Sequence, residues 1–368
     1  MATPIRPRLL AIVVAVAACV VVACGGSSPK TVSAGGGSTT ASTASATTTG
    51  GPDVSTNGST TAPLSVACRA KGPALKPGAE DGLTIEVGGK ARTFRRFVPR
   101  SLDPTKPAAL VLNFHGLTSP IGGQVLISGF EDKAEQVGAI VVTPLGGGPG
   151  PSWNIGNRAD LPDDVAFVSA LIDRTERQAC IDPRRVFAIG MSNGAQMSST
   201  VGCRLSDRIA AIGTVAGLMV PKGCTPKRPM PVIAFHGTAD QYLPFTGGLG
   251  PKAVPLLATL GTPAQVEQVK AELNLPPIPE VEADWARFDG CDRGPNETTI
   301  SPHVTERAYD TACQGGSAVH LYVIAGGGHA WPGSKGSAQV ESVVGETTME
   351  ISANDLIWSF FEQHPLPA

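Results

Sequence analysis

Apolar positions along this chain change their spacing in a regular way. From residue 83 onward, short apolar runs alternate with segments whose apolar residues recur every three or four positions. LTIEVGGKARTFRRFVP predicts two strands joined around Gly88-Gly89. AALVLNFHG (108–116) and GAIVVTPLG (138–146) are continuous apolar runs, the pattern of strands buried on both faces. FEDKAEQVG (130–138) places Phe130, Ala134 and Val137 on one helical face, and Gly138 can cap its end. DVAFVSALIDRTERQ (164–178) reads as an amphipathic helix with acid at its start and arginine near its end, as the helix dipole favours. Strand RVFAIG, helix SNGAQMSSTVGCRL and strands AAIGTVAGL, PVIAFHGTAD and HLYVIAGGG follow. A last helix, SANDLIWSFFEQH, begins at a Ser352 cap. Strands alternating with helices predict an α/β domain with a mostly parallel sheet covered on both faces. Segment 249–284 breaks the rhythm. It predicts a helix around 263–274 with a Pro-rich exit, and reads as an insertion at one end of the sheet, either a lid or an excursion away from the site.

The first 66 residues follow none of these periods. MATPIRPR carries two arginines, and LLAIVVAVAACVVVAC is a short apolar run ending in small residues, the form of an export signal. Val21-Val22-Ala23-Cys24 followed by two glycines resembles a bacterial lipobox, which implies residues 1–24 as a lipoprotein signal and acylation at Cys24. The competing reading is an uncleaved signal anchor. Residues 25–66 hold almost no apolar side chains and read as a Ser/Thr/Gly-rich flexible tether with a mean span of roughly 35 Å. The expected catalytic domain is then 67–368, exported and held on the extracytoplasmic side of the membrane by lipid, or released from it.

Composition adds two constraints. Net charge is −2 with no basic stripe, which excludes a nucleic-acid surface of the usual kind. Besides Cys19 and Cys24 there are six cysteines, an even number consistent with disulfides outside the cytoplasm. Cys203–Cys224 and Cys291–Cys313 close short loops, leaving Cys68–Cys180. Fifteen connectivities are formally open, and buried free thiols are the alternative. No cysteine or histidine spacing resembles a metal site.

The chemistry centres on Gly190-Met191-Ser192-Asn193-Gly194. G-x-S-x-G alone is weak in a chain this rich in glycine and serine. Here, however, it lies where strand VFAIG meets a helix, the place where a tight turn lifts a serine hydroxyl above the sheet edge. The competing reading is a helix-capping serine. A nucleophile needs a base and the base an orienter, following in the order acid, then histidine, each after a strand. Asp240 ends PVIAFHGTAD and His329 ends HLYVIAGGGH, so both are where that scheme requires them. The backbone N–H groups of Leu117, after His115-Gly116, and of Asn193 are the expected oxyanion donors. Trp153, Trp331 and His115 are candidates for the substrate pocket because they sit in loops after strands. His115 also has a structural reading, as does His236, and Trp285 reads as core.

These blocks carry a family resemblance: HG at 115–116, SWN at 152–154, DDVAF at 163–167, GMSNGAQM at 190–197, LSDRIAA at 205–211, HGTADQYLPF at 236–245 and GGGHAWPGS at 326–334. Together and in this order they resemble the secreted polyhydroxybutyrate depolymerase and feruloyl esterase-like family of α/β-hydrolases over roughly residues 67–368. The resemblance implies an α/β-hydrolase fold and a serine carboxylesterase acting on short-chain, hydroxycinnamoyl or hydroxyalkanoate-type esters. Ser192 would be nucleophile, Asp240 acid and His329 base, with no metal or cofactor, and the family's cysteine pairing is similar to the one above. Leu117-Thr118-Ser119-Pro120 and the 249–284 insertion depart from the family pattern beside the expected cleft, so they bear on substrate choice. Two other functions use the same residues: a cell-envelope acyltransferase with the same triad, and an inactive hydrolase-fold binding lipoprotein.

Overall fold

The computed structural model describes residues 75–148, 150–156, 158–259, 262–264, 266–267 and 275–367. The expected signal, Cys24, the expected tether and Cys68 lie outside the described residues. Ten strands form one sheet: β1 (Gly78–Val87), β2 (Lys90–Val98), β3 (Ala108–Phe114), β4 (Ile140–Pro144), β5 (Ile181–Met191), β6 (Ala211–Val215), β7 (Val232–Gly237), β8 (Asn296–Ser301), β9 (Val304–Tyr309) and β10 (Val319–Ile324). Their order is β1-β2-β4-β3-β5-β6-β7-β10-β9-β8. The six strands from β4 to β10 run parallel, and antiparallel pairs close both edges. The chain passes from β3 out to β4 and then returns to the other side of β3 as β5. Such a reversal leaves a crevice at the carboxyl ends of the strands it separates, here β3 and β5.

Strand alternation sorts the core into two layers. Leu110, Leu112 and Phe114 face one layer, and Ala109 and Val111 the other. The first is covered by α3 (Asp164–Gln178), α4 (Asn193–Arg204) and α6 (Ile278–Phe288), through Phe167, Leu171, Met197, Val201, Val281 and Trp285. The second is covered by α2 (Phe130–Val137) and α7 (Ala353–Gln363), through Phe130, Ile357 and Phe361. Asp163 caps α3 by accepting from the Ala166 N–H at 2.8 Å, and the expected Ser352 cap of α7 accepts from the Asp355 N–H.

Several elements were not expected from the periodicity. Helix α1 (Ile121–Ser128) contains two glycines, and the β8–β9 hairpin carries mainly Thr, Glu and Arg on an exposed sheet edge. In the 249–284 segment, α5 covers Ala253–Ala258. Residues 263, 264, 266 and 267 are helical, and the rest of the helix expected there falls outside the described residues. Helix α6 begins inside the segment. Its Ile278 and Val281 are buried, and Trp285 just beyond is fully buried and donates from Nε1 to the Met219 carbonyl at 3.0 Å.

Cys203–Cys224 and Cys291–Cys313 are disulfides, with sequence separations of 21 and 22. Loops of that size are worth about 3 kcal/mol each by constraining the unfolded chain. Cys180 is also disulfide-bonded, and its expected partner Cys68 lies outside the described residues.

Asp289, at the end of α6, is a buried carboxyl that accepts from the Met230 N–H at 2.7 Å and the Ser317 hydroxyl at 2.6 Å. Burial pushes it from 3.8 up to about 7, against those hydrogen bonds and Arg228. A raised folded-state pKa adds stability that is complete below the ordinary value and is lost as pH rises through about 7. Asp289→Asn keeps both contacts without the charge. It should therefore unfold at higher urea than wild type at pH 8.5, by up to roughly 4 kcal/mol, and lose that advantage toward pH 4. Urea titrations of both proteins at the two pH values measure it, and a pH-independent difference would contradict it.

Candidate active site

Ser192 follows β5 at the crevice, with φ 57° and ψ −122°. A positive φ on a serine is strained, and the neighbouring residues explain how it is held. A Cβ on Gly190 would stand 2.3 Å from the Gly194 carbonyl oxygen, and one on Gly194 would stand 2.0 Å from the Phe114 carbonyl oxygen. The two glycines of G-x-S-x-G are required by this close approach of helix to strand. The Ser192 N–H donates to the Val215 carbonyl at 2.9 Å, tying the turn to β6. Although Ser192 occupies the position before α4, its side chain makes no capping bond. The capping reading of this serine therefore has no contact behind it.

Met191, Val215, Phe235 and Tyr322 are level across β5, β6, β7 and β10, so the loops after these strands leave the sheet along one edge. Asp240 lies in the loop after β7 and His329 in the loop after β10. His329 Nδ1 is 2.7 Å from Asp240 Oδ2, across 89 residues of sequence. The other oxygen, Oδ1, accepts from the N–H groups of Tyr242 at 2.7 Å and Leu243 at 3.0 Å. Burial pushes the Asp240 carboxyl up, but the His329 charge and hydrogen bond, with His236 and the Tyr242 N–H, hold it below its ordinary value. The His329 loop is fixed by its own backbone: its N–H donates to the Val344 carbonyl at 2.6 Å, and the Gly328 N–H to Glu346 at 2.9 Å. The Tyr242 ring lies 4.9 Å from the imidazole. Among the described residues, neither the Ser192 hydroxyl nor His329 Nε2 has a hydrogen-bond partner, so the two are not bonded to each other in this structure.

His115 is fully buried, and both its nitrogens are engaged by backbone. Nε2 accepts from the Gly146 N–H at 2.9 Å, which leaves Nδ1–H to donate to the Gly116 carbonyl at 2.8 Å. Burial lowers its pKa to about 4, so the ring is neutral. The Ser119 N–H also donates to the Gly116 carbonyl, at 3.1 Å. In a planar trans peptide the next N–H points the opposite way, so these two bonds aim the Leu117 N–H. The Thr118 N–H is committed to the Pro151 carbonyl at 2.7 Å. The N–H groups of Leu117 and Asn193 have no acceptor among the described residues, which leaves both available to a ligand oxygen.

The pocket expectations for His115, Trp153 and Trp331 are corrected. Trp153 is 4% exposed and donates from Nε1 to the His115 carbonyl at 2.8 Å. Trp331 is fully buried in the layer under α7 and donates from Nε1 to Asn354 Oδ1 at 2.9 Å. All three have their polar atoms engaged within the protein and brace loops from beneath. Beside Gln196 and Gly217 lies a narrow, mostly apolar cleft of only about 10 Å³, lined also by Leu218, Met219, Leu243 and Ile278 and by none of Ser192, Asp240 and His329. No charged side chain lines it. Leu243 lay within a quoted motif, but no signal in one sequence marks a leucine as a cleft wall. Among the described residues no group of three or more His, Cys, Asp or Glu side chains could hold a metal ion.

A strained serine turn at the switch point of a parallel sheet, with an Asp–His pair after the later strands, is the arrangement of the α/β-hydrolase fold. A family model described as Phospholipase/Carboxylesterase matches residues 154–275. Feruloyl esterase B of Piromyces equi is 33% identical over 239 residues, covering 63% of this chain and 41% of that protein, so the match spans less than half of the relative. NocK of Nocardia uniformis subsp. tsuyamanensis, named for an esterase, is 28% identical over 321 residues, covering 82% of this chain and 89% of that protein. A solved acetyl xylan esterase from Aspergillus awamori aligns at TM-score 0.46 and 15% identity over 68% of this chain and 93% of that one, too remote to add to the topology. Over these stretches the chain is similar to esterases of the α/β-hydrolase fold.

Gly194→Ala tests the elbow. Its methyl would meet backbone oxygen at 2.0 Å, which no rotamer relieves, so destabilisation by about 1–3 kcal/mol or more and loss of soluble protein are expected. Thermal unfolding beside wild type reads the result, and an unchanged midpoint contradicts the geometry.

Proposed function

We propose that this protein hydrolyses carboxylic esters through a Ser192–His329–Asp240 triad and an acyl-enzyme. The observation that carries the reading is the 2.7 Å His329–Asp240 bond at the sheet edge that also bears the strained Ser192 turn. His329 Nε2 takes the Ser192 proton as Oγ attacks the ester carbonyl. The new oxyanion accepts from the N–H groups of Leu117 and Asn193, donors of a kind worth about 2.7–4 kcal/mol each in the transition state. Collapse expels the alcohol, which receives the proton from His329. Water, activated by the same imidazole, then releases the acid. Asp240 holds the Nδ1–H tautomer throughout.

Short-chain, hydroxycinnamoyl and hydroxyalkanoate-type esters are the candidate substrates, and the similarity to a feruloyl esterase of Piromyces favours the hydroxycinnamoyl class. The disulfides support an exported protein, and the proposed lipid anchor is Cys24.

Ser192→Ala should remove turnover of p-nitrophenyl butyrate by at least about 10⁴-fold while circular dichroism stays unchanged. Retained turnover would end the nucleophile assignment. Asp240→Asn should cost about 10³–10⁴-fold in kcat, because the amide no longer selects the Nδ1–H tautomer. A panel of acetyl, butyryl, feruloyl and hydroxybutyrate-oligomer esters, assayed with and without an alcohol acceptor, identifies the acyl group and separates hydrolysis from acyl transfer.

A further inference from the structure

Trp153 lies under both loops that carry the candidate oxyanion donors, and it bonds to each. Its Nε1–H donates to the His115 carbonyl at 2.8 Å, and its backbone N–H donates to Asn193 Oδ1 at 2.9 Å. The indole is wedged edge-on against Phe114, at 5.2 Å between centroids, and tilted against His115 at 4.8 Å. Phe114 and His115 lead directly into Gly116-Leu117, and Asn193 is itself the second donor residue.

We infer that Trp153 is a positioning residue that sets the spacing and direction of the two oxyanion donors. The inference rests on the esterase reading above. The carbonyl of a planar peptide fixes the plane of the following N–H. Holding the His115 carbonyl therefore fixes the start of the loop whose next plane carries the Leu117 N–H. Holding the Asn193 side chain steadies the first turn of α4 as seen from the cleft. One residue thus refers both donors to a common support. That support is anchored in turn: the neighbouring Asn154 N–H donates to Asp164 Oδ2 at 2.7 Å, and Asp164 pairs with the buried Arg92 of β2. Trp153 touches no reacting atom. It acts through His115 and Asn193, and a shift of about 1 Å in such a frame can cost about 100-fold in rate.

The test is Trp153→Phe in the full chain, which keeps an aromatic ring against Phe114 and His115 and removes the Nε1–H. On p-nitrophenyl butyrate, kcat should fall about 10- to 100-fold with KM within about twofold. Affinity for a trifluoromethyl ketone, whose adduct places an oxyanion between the donors, should fall by the same factor. Wild-type kcat, or a raised KM with unchanged kcat, overturns the inference. So does a loss of activity that tracks a lowered melting temperature without selective loss of ketone affinity. Asn193→Ala cuts the other tether and should reproduce the kcat loss. It decides the matter alone if Trp153→Phe does not fold, and wild-type kcat in it overturns the inference. Turnover by Ser192→Ala would instead sink the esterase reading. An inert Ser192→Ala beside a fully active Trp153→Phe sinks only the role of Trp153.

Discussion

A serine backbone at φ 57° is a local cost of about 1–3 kcal/mol, and much of the site geometry is arranged around keeping it there. The turn persists because β5 and α4 are packed on the same core and meet at two positions with no room for a side chain. It is further held by the Ser192 N–H on β6. The arrangement also frees the hydroxyl. A serine in relaxed geometry before a helix would turn its oxygen onto the helix N–H groups, as Asp163 does for α3 and Ser352 for α7. The strained turn denies Ser192 that partner and leaves the Asn193 N–H unbonded next to it.

The loop that carries the proposed Leu117 donor is held by a second set of constraints, almost wholly polar and almost wholly buried. Arg92, Asp164, Asn154, Trp153 and His115 link β2, α3, the loop after β4 and the loop after β3. Arg92 also lies over the Phe167 ring at 4.1 Å. Buried ionic and polar groups of this kind contribute little net stability against an apolar replacement. What they supply is direction, since each bond fixes one peptide plane. An apolar core can hold a loop in place but cannot choose which way its N–H points.

How much of this could be read beforehand follows from what each feature depends on. The parallel strands were legible because burial on both faces makes them continuous apolar runs, as in AALVLNF and VFAIG. Ser192, Asp240 and His329 could be singled out as candidates because chain order and post-strand position are sequence properties, and the structure bonds the last two to each other. The β8–β9 hairpin was not, because an exposed edge strand such as NETTIS owes its conformation to pairing with its neighbour rather than to its own pattern. The tryptophans misled for a related reason. Position after a strand suggested pocket roles for Trp153 and Trp331, but their burial and the partners of their indole N–H groups, the His115 carbonyl and Asn354, become visible only in the structure.

Two histidines compete for one carboxylate, and their surroundings decide between them. His236 lies four residues before Asp240 and comes within 3.4 Å of Oδ2, so sequence proximity favours it. Yet its Nε2–H is committed to the Leu243 carbonyl at 2.7 Å, and its Nδ1 is buried with no partner among the described residues. Burial, opposed by Asp240 and Leu243, keeps its pKa below the ordinary value. It can neither reach a substrate nor gain a proton cheaply. His329 makes the shorter bond to the same oxygen and keeps Nε2 free. A base needs one nitrogen held and the other unoccupied, and of the two rings only His329 meets that condition.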